Sequence, residues 1–168
     1  MNILITNARL IDQTGDRLAS VRISDGIIVE VGDQLAQDSD SSKDERLIDA
    51  AGLVISPGFV DLHVHLREPG REEAETIETG SRGAALGGFT AVVAMPNTDP
   101  TQDSVGVVEF VRQQGKRAGL CDVYPSGSIT MGRKGEQLTP FAELANAGVR
   151  LFTDDGNGVQ DPQLMRRA

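Results

Sequence analysis

Apolar and polar residues alternate along most of the first fifty-five positions, and short apolar runs set between helical spacings follow. Ile3, Leu4 and Ile5 open a strand that residues 7–12 continue. Gln13-Thr14-Gly15-Asp16 is turn chemistry, and residues 19–23 alternate again. Asp25-Gly26 is a two-residue hairpin signal, with residues 27–32 as the returning strand. Residues 37–46 are polar and charged and read as a mobile surface loop. Residues 47–50 and 53–55 flank Ala51-Gly52 as further short strands. Residues 1–55 are therefore expected to form part of a small antiparallel, β-sandwich-like module, too small to be stable without something to pack on.

From residue 56 the rhythm becomes strand, helix, strand. Pro57-Gly58-Phe59-Val60 leads into an alternating strand over 61–66, which Glu68-Pro69-Gly70 closes as a turn. A helix is predicted over 72–86, its acidic start matching the positive end of the helix dipole, and Gly87-Gly88 stops it. Residues 89–95 are nearly continuous apolar, the mark of a buried parallel strand. Asp103 or Ser104 caps a helix through Val105, Val108 and Val111. A third strand is expected over 122–129, a loop over 131–138, a helix from Thr139-Pro140 through Leu144, a fourth strand over 149–152 and a helix opening at Asp161-Pro162. This is an α/β pattern with a parallel sheet. Four units make half of a (β/α)₈ barrel and would equally serve a doubly wound sheet, so the pattern alone admits both. In either architecture sites form at the C-terminal strand ends, where His63, His65, Arg67, Asn97, Asp154 and Asp155 fall.

Composition narrows the partners. Among 168 residues, 25 are acidic and 16 basic, a formal charge of −9 that repels nucleic acid and anionic membranes. An anionic small substrate then needs a local cation, which Arg67 can supply. The single cysteine, Cys121, excludes an intrachain disulfide and suits a reducing cytoplasm. With only two histidines, both at 63 and 65, none is left to activate it as a nucleophile. Neither a signal peptide nor a membrane-spanning run is expected.

Alternation places Asp61, His63, His65 and Arg67 on one strand face and Leu62, Val64 and Leu66 on the other. The two imidazoles stand roughly 7 Å apart at Cα, a spacing that suits two nitrogen ligands on one cation. Two imidazoles with one carboxylate oxygen make a zinc set that leaves positions open for water. Asp154-Asp155-Gly156 reads either as a turn or as the source of that carboxylate. Adjacent side chains diverge, so at most one of the pair faces the histidines. Asn97 is either a turn residue or a substrate hydrogen-bonding group, and Asp61 is expected to orient a neighbour rather than bind metal.

Asp-Leu-His-Val-His-Leu-Arg-Glu-Pro-Gly at 61–70, Met-Pro-Asn-Thr at 95–98 and Phe-Thr-Asp-Asp-Gly at 152–156 together resemble dihydroorotase of the longer bacterial type, in the amidohydrolase superfamily. The resemblance runs over the whole chain, and His-x-His alone marks only the superfamily. It implies the first half of a metal-dependent-hydrolase barrel over 56–168 and zinc-dependent interconversion of (S)-dihydroorotate and N-carbamoyl-L-aspartate. His63, His65 and Asp155 would hold metal, with two zinc ions in a complete site and Asp155 in place of a carboxylated lysine. His65, Arg67 and Asn97 would line the substrate pocket. Two further metal histidines and the general-base aspartate of the family lie on later strands, so the chain is expected to be an N-terminal portion with little turnover by itself. The resemblance leaves open a homodimer or a complex with aspartate transcarbamoylase. Rival readings are another cyclic amidohydrolase, an allantoinase or dihydropyrimidinase, and a non-catalytic scaffold.

Overall fold

The computed structural model describes residues 1–35 and 45–168. The chain divides into two compact units, Met1–Pro57 and Gly58–Ala168.

The first unit is one five-stranded sheet. β1 (Asn2–Asp12), β2 (Gly15–Ser24) and β3 (Ile27–Gly32) form an antiparallel meander. Between β2 and β3, Asp25 at φ 49° and Gly26 at φ 80° take the two left-handed positions of the hairpin turn whose twist matches the strands. β4 (Glu45–Asp49) and β5 (Val54–Ile55) pair with the other edge of β1, both in parallel. The module is therefore mixed rather than antiparallel. β3 and β4 sit at opposite ends of the strand order, so no tight turn joins them and β4 can run the same way as β1. Of the loop expected at 37–46, residues 37–44 lie outside the described residues, whereas Glu45 and Arg46 begin β4. Leu4, Ala8, Leu10, Ala19 and Val21 are the buried apolar residues of these strands, while Ile27, Ile28, Val29 and Val31 on edge strand β3 stay exposed.

The second unit is built on three parallel strands in the order β6 (Phe59–Val64), β7 (Phe89–Ala94), β8 (Asp122–Pro125). α1 (Ile77–Leu86) connects β6 to β7, and α2 (Val105–Ala118) connects β7 to β8. α3 (Phe141–Asn146) and α4 (Pro162–Arg167) follow. Leu66, Ile77, Val92, Ala94, Val111 and Val123 form the core beneath the helices, and Val108, Leu144 and Val149 form a second cluster. Edge strand β6 leaves Phe59, Val60 and Leu62 exposed. No helix among the described residues is long and apolar enough to cross a membrane.

Four boundaries differ from the sequence reading, each for a local reason. α1 starts at Ile77 rather than at 72, because Thr76 and Thr79 form a reciprocal capping box and the Glu68 carboxylate accepts from Ile77 N at 2.7 Å. β6 ends at Val64, since Arg67 adopts a left-handed φ of 59° that no strand can hold. β8 stops at Pro125, because Ser126 gives both its N–H (3.0 Å) and its hydroxyl (2.7 Å) to Ala94 O, the last group β7 offers, and Gly127 N turns instead to Leu151 O. The fourth strand shrinks to a single bridge, Gly127 with Phe152, flanked by Gly127 N to Leu151 O and Thr153 N to Gly127 O, both 2.9 Å.

Where α2 crosses β8, Gly115 supplies the close approach. A Cβ there would lie 2.5 Å from Val123 Cβ. Gly115→Ala is expected to destabilise the chain by about 1–3 kcal/mol despite alanine's better helix propensity, because the clash is with a buried β-branched side chain. Urea unfolding checks this; an unchanged or raised midpoint would contradict it.

Candidate metal centre

β6 delivers His63 at its end, and His65 follows one residue past the strand. Their rings lie 5.2 Å apart between centroids in an edge-on arrangement. Asp155 reaches them from the loop after the Phe152 bridge. Its Oδ1 is 3.1 Å from His63 Nε2 and its Oδ2 is 3.7 Å from His65 Nε2. One ligand atom from each of the three residues lies within 4.8 Å of the others. Zinc sits about 2.0–2.2 Å from nitrogen and carboxylate ligands, so neighbouring donors around it stand a little over 3 Å apart, and this spacing fits.

The donor chemistry fits as well. His65 Nδ1 faces the Asn97 amide oxygen at 2.9 Å. That oxygen can only accept, so Nδ1 donates to it and Nε2 is the nitrogen turned toward Asp155, the one available to a cation. The His63 side chain is 57% exposed and Asp155 only 17%, so the cluster is walled on the carboxylate side and open on the other.

The two adjacent aspartates separate cleanly. Asp154 is buried, and its Oδ1 accepts from Ile129 N at 2.8 Å and Thr130 N at 3.0 Å, while Oδ2 accepts from the Thr130 hydroxyl. It pins the loop after β8, and Asp155 alone faces the histidines. Asp61 accepts from His63 N at 3.0 Å and takes no part in the cluster.

Of the residues singled out from the sequence, His63, His65, Asp155 and Asn97 come together. Arg67 stands in the loop after β6, and its guanidinium makes no hydrogen bond or ion pair among the described residues. Sequence reasoning missed Gln102. It is fully buried, its amide donates to Met95 O at 2.8 Å, and its backbone joins Pro96 O and Ser128 N. It thereby ties down both ends of the loop that carries Asn97. A polar residue in a loop between two structured elements offers no signal of such burial.

The chain is similar to known proteins. Residues 52–168 match the family model described as dihydro-orotase-like. The chain is 50% identical over 171 residues to a dihydroorotase of Mycobacterium tuberculosis and 46% identical over 170 residues to one of Citrifermentans bemidjiense. All of this chain is covered in both comparisons, and it spans 38% and 39% of those relatives' lengths. Among solved structures, an L-hydantoinase (dihydropyrimidinase) from Arthrobacter aurescens superposes with a TM-score of 0.70 at 24% identity, over 89% of this chain and 32% of that one. That likeness carries the fold, a (β/α)₈ barrel of which these residues cover the N-terminal part. With the match over residues 52–168 and the two dihydroorotases aligned along its whole length, the chain belongs to the dihydro-orotase-like family.

Proposed function

We propose that these residues form the metal-holding and substrate-anchoring part of a dihydroorotase site, for reversible hydrolysis of (S)-dihydroorotate to N-carbamoyl-L-aspartate in pyrimidine synthesis. The supporting observation is the convergence of His63, His65 and Asp155, with Asn97 bonded to His65, in a chain 50% identical to a dihydroorotase. Zinc is the cation that two imidazoles and a carboxylate favour, and His63, His65 and Asp155 would hold it. When bound, it supplies Lewis-acid activation of water and of a ring carbonyl. The acidic surface and lone cysteine suit a cytoplasmic enzyme.

The chain's own groups handle the substrate carboxylate. Arg67, free of ion pairs among the described residues, can grip it through two parallel N–H donors. Asn97 gives its oxygen to His65, which leaves its NH₂ to donate to the same carboxylate. Anchoring there orients the ring amide toward the metal ligands. An arginine two residues after His65, without an ion pair among the described residues, would favour a carboxylated ring over the neutral rings of hydantoinase or dihydropyrimidinase substrates.

A chimera joining residues 1–168 to the remaining part of the Mycobacterium tuberculosis dihydroorotase provides a chain of a relative's length. It is expected to open the dihydroorotate ring and to favour it over dihydrouracil by about 100-fold or more in kcat/KM, the worth of two charge-assisted hydrogen bonds. Arg67→Met should raise KM for dihydroorotate by roughly 100-fold and lower kcat much less. Comparable turnover of both rings would end the assignment, and an Arg67→Met chimera with unchanged KM would remove Arg67 from it. The 168-residue chain assayed by itself should show little or no turnover.

A further inference from the structure

The loop after β8 and the loop carrying Asp155 are tied together twice over, and one of these ties is a cation that nothing in the proposed reaction uses. Arg133 closes a 3₁₀ turn (Met131–Arg133) and takes a left-handed φ of 55°. Its Nη1 donates to Asp155 O at 2.6 Å. In return, Asn157 Nδ2 donates to Arg133 O at 3.2 Å, and Asn157 N bonds Asp154 O at 2.7 Å. The turn itself is anchored from the opposite side, where Gly132 N donates to the Asp103 carboxylate at 2.8 Å. Arg133 N bonds Thr130 O at 2.9 Å, so the guanidinium projects from a backbone held on both flanks.

The bond to Asp155 O is the only side-chain hydrogen bond that Arg133 makes among the described residues, and its Nε is buried without a partner there. A partly buried guanidinium spending its one hydrogen bond on a backbone carbonyl is unusual when a carboxylate would bind it more strongly. What that carbonyl has to offer is its position: it belongs to the peptide of the one carboxylate that faces both histidines. A charge-assisted bond to it limits rotation of the Asp155 peptide, and with it the direction in which the side chain leaves the backbone toward the imidazoles 3.1 and 3.7 Å away.

We propose that Arg133 is a positioning residue for the metal site: by clamping the carbonyl of Asp155 it pre-orients the carboxylate toward His63 and His65, and so raises zinc affinity. The inference rests on the reading of these three residues as metal ligands. Partners that orient a ligand from behind contribute about 10–100-fold to metal affinity, and Arg133 belongs in that range.

The test measures zinc affinity of the 168-residue chain by competition with a chromophoric chelator, for wild type, His63→Ala, Arg133→Met and Arg133→Lys. Wild type should bind one zinc ion and His63→Ala should lose it. Arg133→Met should bind roughly 10–100-fold more weakly, and Arg133→Lys, which keeps a charged donor, should recover at least about half of that loss on a logarithmic scale. The cobalt(II) derivative of Arg133→Met should show altered visible absorption, a signature that general destabilisation would leave unmoved. If Arg133→Met does not fold, Arg133→Gln, too short to reach the carbonyl, is judged by the same measurements. Wild-type affinity in the methionine or glutamine variant overturns the clamp while the metal site stands. A wild-type chain that binds no zinc overturns both.

Discussion

Asp155→Ala is expected to weaken zinc binding by more than about 100-fold, since removing groups that merely orient a ligand already costs about 10–100-fold. The geometry explains why no neighbour can substitute. Asp155 is the carboxylate that faces both Nε2 atoms, at 3.1 and 3.7 Å, and no other acidic group joins the cluster among the described residues. Asp154, next to it, has both oxygens engaged by Ile129 and Thr130. The same substitution should cost little in stability, on the order of 1 kcal/mol or less, because the lost partner His63 is largely exposed and such pairs are weak in water. Chelator competition gives the affinity and urea unfolding the stability. An alanine variant that still binds zinc like wild type would remove Asp155 from the site. Asp155→Asn refines the test: it keeps the shape and one oxygen but loses the charge, and should fall between the two.

Much of this site could be read before any coordinates, and the reasons are local. His63 and His65 share a face because strand side chains alternate, and the spacing survives even though β6 stops at Val64. The Asp25-Gly26 hairpin was legible because few residues other than glycine, asparagine and aspartate tolerate positive φ. The apolar run of β7 could be little else than a buried strand. What escaped depends on partners distant along the chain. β4 and β5 run parallel to β1 because of where the sheet places them, which alternation within each strand does not encode. The acidic residues before Thr76 are good helix formers, and only the capping box shows that α1 starts after them. Arg67 in the left-handed region, and Arg133 likewise, carry no compositional sign, since arginine is not a residue chosen for that conformation. Spacing alone left Asp154 and Asp155 open and only the family resemblance named Asp155; the physical reason, capture of Asp154 by Ile129 and Thr130, is not written in the local pattern.

That capture yields the second large effect. Asp154→Ala should destabilise the chain by about 3–5 kcal/mol, the cost of breaking one side of a buried, charge-assisted network. Asp154 is 4% exposed, and its loss would strand the backbone N–H groups of Ile129 and Thr130 and the Thr130 hydroxyl. The hydroxyl would keep its second bond, as acceptor from Gly135 N at 2.9 Å, but the two amides have no other acceptor among the described residues. Asp154→Asn should cost less than alanine, because its amide oxygen can still accept from both backbone groups while its NH₂ faces the Thr130 oxygen. The contrast with the neighbouring position is the informative part. Substitution at 154 should act mainly on the urea midpoint and cost the folded protein less zinc affinity than substitution at 155, which should weaken zinc binding and leave the midpoint nearly unchanged. Were the two positions to behave alike, the division of labour between adjacent carboxylates would fail, and with it the reason for assigning the metal to Asp155 alone. The dissociation is physically reasonable because the two carboxylates have different partners: one is spent on Ile129 and Thr130 in ordering the loop, and the other faces the imidazoles.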